Sequence, residues 1–594
     1  MSRLVNQQDL EFLLFDMFSA GALQHYPRYA DYDTETIHSM LSTAQGLAED
    51  YFLPHFQKAD AQEPQFDGDS VTTIPELKQA WQQFADAGFL AARQSHEQGG
   101  LQMPALVNMA CQSYFMAANP ATAAYPFLTS AAANVIQAFG SREQQQRYLP
   151  AMFSGRFAGT MALTEPAVGS SLGDLTTKAT AARDGTYRIK GQKMYISGGD
   201  QDLTENIVHL VLARIEGAPI GVKGISMFIV PKFLVNEDGS LGARNDVALA
   251  GLLHKMGYRG TTSTVLNFGE QDQCVGYLVG EPNRGLEYMF KMMNEARIGV
   301  GLGAAMIGYR GYLESLAYAK ERPQGRAPDN KDPSTAAIPI IEHADVKRML
   351  ISQKTYVEGS LALCLLAARL VDEDEAGGDA DAAILLDLLT PIVKSYPSYY
   401  GPRANDLAIQ VLGGSGYIRE YPVEQCYRDN RLNPIHEGTH GIQGLDLLGR
   451  KLWQQQGKGQ KLLLRRIHKT LAEVRTIPEL APLADRYEQA LQPLLQHILV
   501  AGERLQAGEI KPTLAQASVF LDVMGTYVVA WLWLDMARLA KVKAEQDDSF
   551  NDFTQGKVAA AKHFMQWELT QAESALASLN QFASGWDQIA PEWL

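Results

Sequence analysis

The sequence predicts an α+β chain of several domains, ordered as helices, strands, helices and then more helices. Three observations carry this. Residues 36–155 have helical composition, rich in Ala, Leu and Gln, and are broken by turn signals such as Gly99-Gly100 and Asn119-Pro120. Near residue 158 the pattern changes to short β-branched and aromatic stretches separated by Gly, Pro, Asn and Asp. After Gly285 apolar residues again step by three and four. The strands form one block and do not alternate with helices, so βαβ units are not expected. At 594 residues, 46% hydrophobic and 20% charged, the chain can bury several cores.

Taken in order, residues 1–35 form an N-terminal extension. Its opening, MSRLVNQQDLEFLLFDMF, carries Asp9, Glu11 and Asp16 within an apolar stripe and is not expected to be a secretory leader. A helical domain follows at 36–157. Between 158 and 283 the stretches Tyr187–Gly199, Ile207–Ile215, Ile225–Phe233 and Thr262–Glu270 predict antiparallel strands of a small barrel or sandwich. Residues 284–455 return to helix. Ile298, Leu302, Met306, Tyr309, Leu313 and Leu316 mark one helix face, and Gly299, Gly301, Gly303 and Gly308 would let another helix approach closely. Asp372–Asp381 reads as a solvated loop. Residues 456–594 read as an appended helical domain, in which Leu514, Ala517, Leu521, Met524, Val528 and Trp531 step by three and four, and Trp531 and Trp533 are core. The basic amphipathic stretch Lys458–Arg475 is expected to be a solvated helix face or a subunit contact in preference to a membrane-surface helix.

Acids outnumber bases by 67 to 52, which disfavours nucleic acid as a partner. Cys111, Cys274, Cys364 and Cys426 are widely spaced and form no C-x-x-C pair, so a reducing compartment, the cytoplasm, is expected. No uninterrupted apolar run approaches the ~18–20 residues that span a bilayer.

Three stretches carry chemistry. Met161–Asp174, MALTEPAVGSSLGD, offers hydroxyls and backbone N–H groups to a polar ligand, although alone it could be a turn. Gln410–Pro422, QVLGGSGYIREYP, is glycine-rich but is neither G-x-G-x-x-G after a strand nor G-x-S-x-G. Asn433–Ile442, NPIHEGTHGI, spells H-E-x-x-H through His436, Glu437 and His440, the pattern of a zinc hydrolase. Two histidines four apart reach one metal only from a single helical turn. Gly438 and Thr439 between them, Pro434 upstream, and apolar periodicity that begins after His440 predict the lead-in to a helix instead.

Together with KGQKMYISGG, HKMGYRGTTSTVLNF, NEARIGVGLGA, YAKERPQGR and IIEHADVKRML, these motifs occur in the order and spacing of the acyl-CoA dehydrogenase flavoprotein family. The resemblance covers roughly residues 36–453, and the extra C-terminal domain resembles the long bacterial branch of that family. It implies an N-terminal helical domain, a central β-domain, a C-terminal four-helix bundle and bound FAD. It further implies that Leu163 and Thr164 meet the flavin ring, and that Ser170 lies near the pyrophosphate and the thioester. By the same resemblance Tyr195 and Ser197 flank the isoalloxazine and Arg322 reaches the FAD of a neighbouring subunit. Gln410, Gly413 and Gly414 hold its adenosine end, and Thr439 the FAD of its own subunit. Asn294 and Arg297 would contact CoA, Glu437 would be the catalytic base, and Gly438 would let the chain pass close to the substrate. The chain departs from the family pattern at Val168, Ser171, Gln425 and Gly441. Some relatives carry the base just before Arg297, where this chain has Ala296; Glu295 is one residue off.

The implied activity is α,β-dehydrogenation of an acyl-CoA thioester to a trans-2-enoyl-CoA, as in β-oxidation of fatty acids. Electrons would pass to an electron-transfer flavoprotein, and the enzyme would be a homodimer or tetramer. One carboxylate suffices as base because the flavin takes the second hydrogen, and burial should raise that carboxylate's pKa. His436 and His440 are then expected to have supporting roles. The alternatives are an acyl-CoA oxidase using O₂, a zinc hydrolase through His436 and His440, and a DNA-associated flavoprotein relative.

Overall fold

The computed structural model describes residues 3–330, 332–582 and 585–594, without the side chains of 291–293. It divides into two compact units: residues 38–103 with 114–296, and residues 1–37 with 104–113 and 297–594.

The first unit joins helices to a β-barrel. Phe52, Phe84, Phe89 and Phe115 interlock with ring centroids 4.9–6.2 Å apart and centre the helical part. The Pro120–Phe139 helix starts at the Asn119 cap with proline in its first turn, and Ser141 and Gln144 form a capping box for Arg142–Phe153. The main sheet has eight strands: β1 (Phe157–Ala162), β2 (Lys178–Ala181), β3 (Tyr187–Ser197), β4 (Asn206–Ile215), β5 (Ile225–Pro231), β6 (Val247–Leu252), β7 (Ser263–Phe268) and β8 (Val275–Leu278). Strands β3, β8, β5, β4 and β2 pair in a closed ring, with β7 and β6 extending from β3 and β1 flanking β4. The expected antiparallel arrangement is corrected at two places, because β1 and β2 both run parallel to β4. Strand β4 is buried on both faces, hence its continuous apolar run. Val208, Leu210 and Leu212 pack toward the two helices, and Val211 and Ala213 toward the barrel interior with Phe228 and Val230.

The second unit is helical apart from connecting segments. Gly285–Glu321, from Arg297 onward, packs with Ala344–Glu375 and Ala380–Leu412, and Val423–Asn430 and His440–Gly449 lie on the last of these. Gly301 is where a neighbouring backbone comes closest: a Cβ there would meet Val393 O at 2.1 Å. The expected single apolar face of this helix is corrected, since residues 297–312 are buried all round. The tail forms the helices Lys458–Val474, Ala481–Gln506, Ala517–Gln546, Asn551–His563 and Leu569–Leu579. Among the described residues Ala517–Gln546 is long and apolar enough to cross a membrane by length and composition, although Asp522 interrupts its apolar run and 83% of its most apolar window is buried. Trp531 and Trp533 are core, as expected. The apolar face of Lys458–Val474 packs on neighbouring helices, while Lys458 and Arg466 pair with Asp381 and Glu373.

The loop expected at Asp372–Asp381 shrinks to 376–379. Asp372 is buried, accepting hydrogen bonds from Tyr29 Oη (2.9 Å) and from the N–H groups of Ala105 and Leu106 (2.7 and 2.9 Å) at a helix start. The N-terminal extension is anchored similarly. Asp9, wholly buried, accepts from Lys557 Nζ and from Tyr309 Oη, and Lys557 also donates to Glu358 at 2.8 Å. All four cysteines are buried and unpaired.

Candidate active site

The Val423–Asn430 helix ends, the chain loops, and a new helix starts at His440. Thr439 caps it, its hydroxyl accepting from Ile442 N at 3.3 Å. Glu437 has φ +52° and Gly438 φ +84°, both left-handed. At Gly438 a Cβ would also meet Gln443 Nε2 at 2.6 Å, so both conformation and space select glycine. His436-Glu437-Gly438-Thr439 is therefore the lead-in to a helix. The two imidazoles do not share a turn and engage different partners: His436 Nε2 meets Asn433 Oδ1 at 3.1 Å, and His440 Nε2 meets Asp522 Oδ1 at 2.8 Å while its ring stacks on Tyr399. Among the described residues no group of three or more His, Cys, Asp and Glu could hold a metal ion.

Behind the loop runs a ladder of buried amides. Asn405 Nδ2 donates to Ile307 O (3.0 Å), Asn430 Nδ2 to Asn405 Oδ1 (2.7 Å) and Asn433 Nδ2 to Asn430 Oδ1 (2.8 Å). Each oxygen accepts, so His436 Nε2 is the donor to Asn433 Oδ1 and the neutral tautomer is fixed. Burial holds His436 neutral, its pKa pushed down to about 3. Gln443 Nε2 donates to Glu437 O at 3.2 Å.

The Glu437 side chain is partly buried, and its carboxylate makes no hydrogen bond among the described residues. Burial raises its pKa above the ordinary carboxylate value; Lys394 and then Arg297 oppose that rise. Arg297, 3% exposed, pairs with Asp446 at 3.3 Å, while its Nε has no partner among the described residues. Asn294, three residues earlier on the helix and partly buried, is one turn away. Glu295 is engaged by Asn134 Nδ2 at 2.9 Å.

A second group in this unit lies elsewhere. Gln410 lies in the last turn of the Ala380–Leu412 helix, about 24 Å along its axis from Lys394, and Gly413 and Gly414 follow the helix end. All three are exposed, and Gly413 and Gly414 have open space where a side chain would stand. Tyr318 Oη donates to Ser415 Oγ at 3.2 Å, which ties this turn to the helix end carrying exposed Arg322.

The other unit assembles the remaining residues. Between β3 and β7 the register gains one residue on β3 at Met194–Tyr195. Tyr195 takes φ +60° there and is 64% exposed. Met194 N donates to Thr164 O at 2.9 Å, so Leu163 and Thr164 adjoin Tyr195, with Ser197 two residues on. The Thr164 hydroxyl and N–H make no hydrogen bond among the described residues, and Ser170 is exposed just after the Glu165–Val168 bridge. An exposed aromatic ring beside unpartnered donors fits the edge of a planar polar cofactor. Lys193 stands beneath: its Nζ donates to Leu163 O (2.9 Å) and Glu165 Oε1 (3.0 Å), and Thr176 and Thr177 give Glu165 four more hydrogen bonds of 2.6–3.0 Å.

Four family models match the chain in series: the acyl-CoA dehydrogenase N-terminal domain over residues 34–156, the middle domain over 160–270, the C-terminal domain over 283–452, and the acetyl-CoA dehydrogenase C-terminal-like domain over 463–585. A 3-methylmercaptopropionyl-CoA dehydrogenase of Ruegeria pomeroyi is 34% identical, across 94% of this chain and 95% of its own. The chain belongs to the acyl-CoA dehydrogenase family of enzymes. A butyryl-CoA dehydrogenase of Syntrophomonas wolfei is also 34% identical, over 95% of this chain and 94% of the relative. In fold, the chain is similar to the acyl-CoA dehydrogenase of Bacillus anthracis solved with FAD, with a TM-score of 0.73 at 22% identity, over 94% of this chain and 90% of that one.

Sequence reasoning missed Lys394, the asparagine ladder, Asp446, Asp522 and the Glu165–Lys193 pair. One signal was available: Lys394 is a lone cation in the apolar run Leu388–Tyr396.

Proposed function

We propose that the protein is an FAD-dependent acyl-CoA dehydrogenase that converts an acyl-CoA to a trans-2-enoyl-CoA, with Glu437 as general base. The observation that carries this reading is a carboxylate without hydrogen bonds among the described residues, on a left-handed, glycine-backed turn, with Lys394 and Arg297 nearby. Glu437 takes the proton from Cα; its pKa, raised by burial, suits it to a weakly acidic C–H. FAD, when bound, supplies the acceptor for the hydride that leaves Cβ, so two electrons and two hydrogens leave the substrate together. Leu163, Thr164, Ser170, Tyr195 and Ser197 are the residues proposed to meet the flavin and its pyrophosphate. Gln410, Gly413, Gly414 and Arg322 are proposed to hold FAD of a neighbouring subunit, and Thr439 that of its own. Asn294 and Arg297 are proposed to meet CoA, and the unpartnered Nε of Arg297 supports a further anionic or carbonyl partner there. We further propose a homodimer or tetramer that passes electrons to an electron-transfer flavoprotein in the cytoplasm.

Glu437→Gln tests the base. It keeps size and backbone but cannot accept the proton, so FAD content should persist while flavin bleaching by saturated acyl-CoA falls ~10²–10⁴-fold. Near-normal bleaching would remove Glu437 from the mechanism.

A further inference from the structure

Lys394 is wholly buried in the middle of the Ala380–Leu412 helix. A buried ammonium is unfavourable unless hydrogen-bonded and answered in charge. Its hydrogen bonds go to two backbone carbonyls, Asn433 O at 2.7 Å and Gly438 O at 2.9 Å. Those carbonyls bracket the short turn that carries Glu437. We propose that Lys394 is a positioning residue for the proton transfer: it clamps both ends of the base's turn and sets one buried positive charge beside the carboxylate.

The surrounding charges favour Glu437 as its counter-ion. Arg297, on the neighbouring helix, already has Asp446, which also pairs with Arg450. From the tail helix Asp522 is taken by His440, and His436 on the turn itself is held neutral. Among the described residues Lys394 makes no hydrogen bond or ion pair with a carboxylate. Burial pushes its pKa down to about 7, and Glu437 opposes that fall more than any other group. Conversely, Lys394 is the first influence opposing the rise at Glu437. Each charged form favours the other. A staple alone would need only the two hydrogen bonds; a charge partner must also show in how the base titrates.

The inference rests on Glu437 being the base, and its test separates the two ideas. Lys394→Met keeps chain length and removes charge and donors. In the FAD-bound variant the acid limb of flavin bleaching by a saturated acyl-CoA should move up by about one pH unit or more, the usual effect of losing one nearby opposite charge. The rate one unit below the wild-type limb then falls about tenfold. A variant that binds FAD with an unmoved limb overturns the proposal. Lys394→Gln, which retains a donor for one carbonyl but no charge, makes the same comparison if the methionine variant does not fold. Failure of both to fold assigns Lys394 to the core and also overturns it. Glu437→Gln is measured alongside: if it bleaches normally, the base reading itself fails. If it is inactive while Lys394→Met titrates like wild type, only the role of Lys394 fails.

Discussion

Lys193→Met tests the clamp beneath the Leu163–Thr164 turn. Both Lys193 and Glu165 are buried, with side-chain exposures of 0% and 2%. Burial alone would raise Glu165; Lys193 and the two threonines outweigh it and hold the carboxyl at about 2, against an ordinary 4.5. That difference is worth about 3 kcal/mol in favour of the folded, ionised form. Burial moves Lys193 the other way, from 10.5 to about 8 despite Glu165, at a cost of about 3 kcal/mol. The intact pair therefore contributes little net stability, as expected for a buried ion pair. Removing one partner is different, because the other stays buried. Breaking such pairs typically costs about 3–5 kcal/mol. Four hydrogen bonds to Glu165 survive here, which reduces the expected loss to about 1–3 kcal/mol. Since Glu165 is depressed in the fold, its contribution is present above pH 4.5 and lost as pH falls toward 2. Without Lys193 its folded pKa rises, so acid unfolding starts at a higher pH. Urea and acid unfolding followed by circular dichroism read both effects, and equilibrium dialysis reads FAD affinity, which should weaken as Leu163 O loses its donor. Unchanged unfolding in urea and acid, with unchanged FAD affinity, would refute the clamp.

Three further outcomes follow from other buried groups. Because Glu437 is raised and must be ionised to accept a proton, flavin bleaching should decline as pH drops through a value above 4.5; a limb at or below 4.5 contradicts the desolvated setting. Lys557→Met leaves Asp9 and Glu358 buried without their shared cation, and a loss of about 3–5 kcal/mol should accompany easier proteolysis within the first 30 residues. Unaltered melting and protease resistance would speak against that anchor. Asp522→Asn removes the tail-helix carboxylate that meets His440 Nε2 and should lower flavin bleaching less than tenfold. A hundredfold loss would put the tail into the chemistry.

The element order was legible because it rests on local pattern. Tyr187–Gly199 and Ile207–Ile215 read as strands from their β-branched and aromatic content, and β3 and β4 lie there. Strands β1, β2, β6 and β8 were not seen; Gly159, Gly251 and Gly276 and the short lengths of β2 and β8 weaken the same signal. Parallel pairing of β1 and β2 with β4 was out of reach because it joins segments far apart in sequence. At the candidate site, Gly438 and Thr439 identified the turn, since backbone demands show in residue type. Asp372 misled because an acidic run usually means water; three donors from distant segments, Tyr29, Ala105 and Leu106, make burial possible instead. Asn405 and Asn430 had no local signature, as each is explained by a partner that sequence does not place beside it, and Lys394 showed only as a lone cation in an apolar run, with its partners out of sight.

A common physical reason underlies the buried lysines. An ammonium has three donors and no acceptor, so one side chain can satisfy several oxygens that secondary structure leaves unpaired. Irregular backbone near a reactive site has such oxygens, and water there would compete with substrate. Lys193 serves Leu163 O and Glu165, Lys394 serves Asn433 O and Gly438 O, and Lys557 serves Asp9 and Glu358. Each lysine projects from a regular element, β3, the Ala380–Leu412 helix or the Asn551–His563 helix. Lys193 and Lys394 reach turns, and Lys557 reaches the carboxylates of two other helices. The desolvation penalty is met by paired charge, and the gain is a fixed geometry where few backbone bonds could supply it. Among the described residues, Lys394 differs from the other two in having only carbonyls as hydrogen-bond partners. That leaves its charge available to Glu437, which is why its substitution should be read in a titration and not in stability alone.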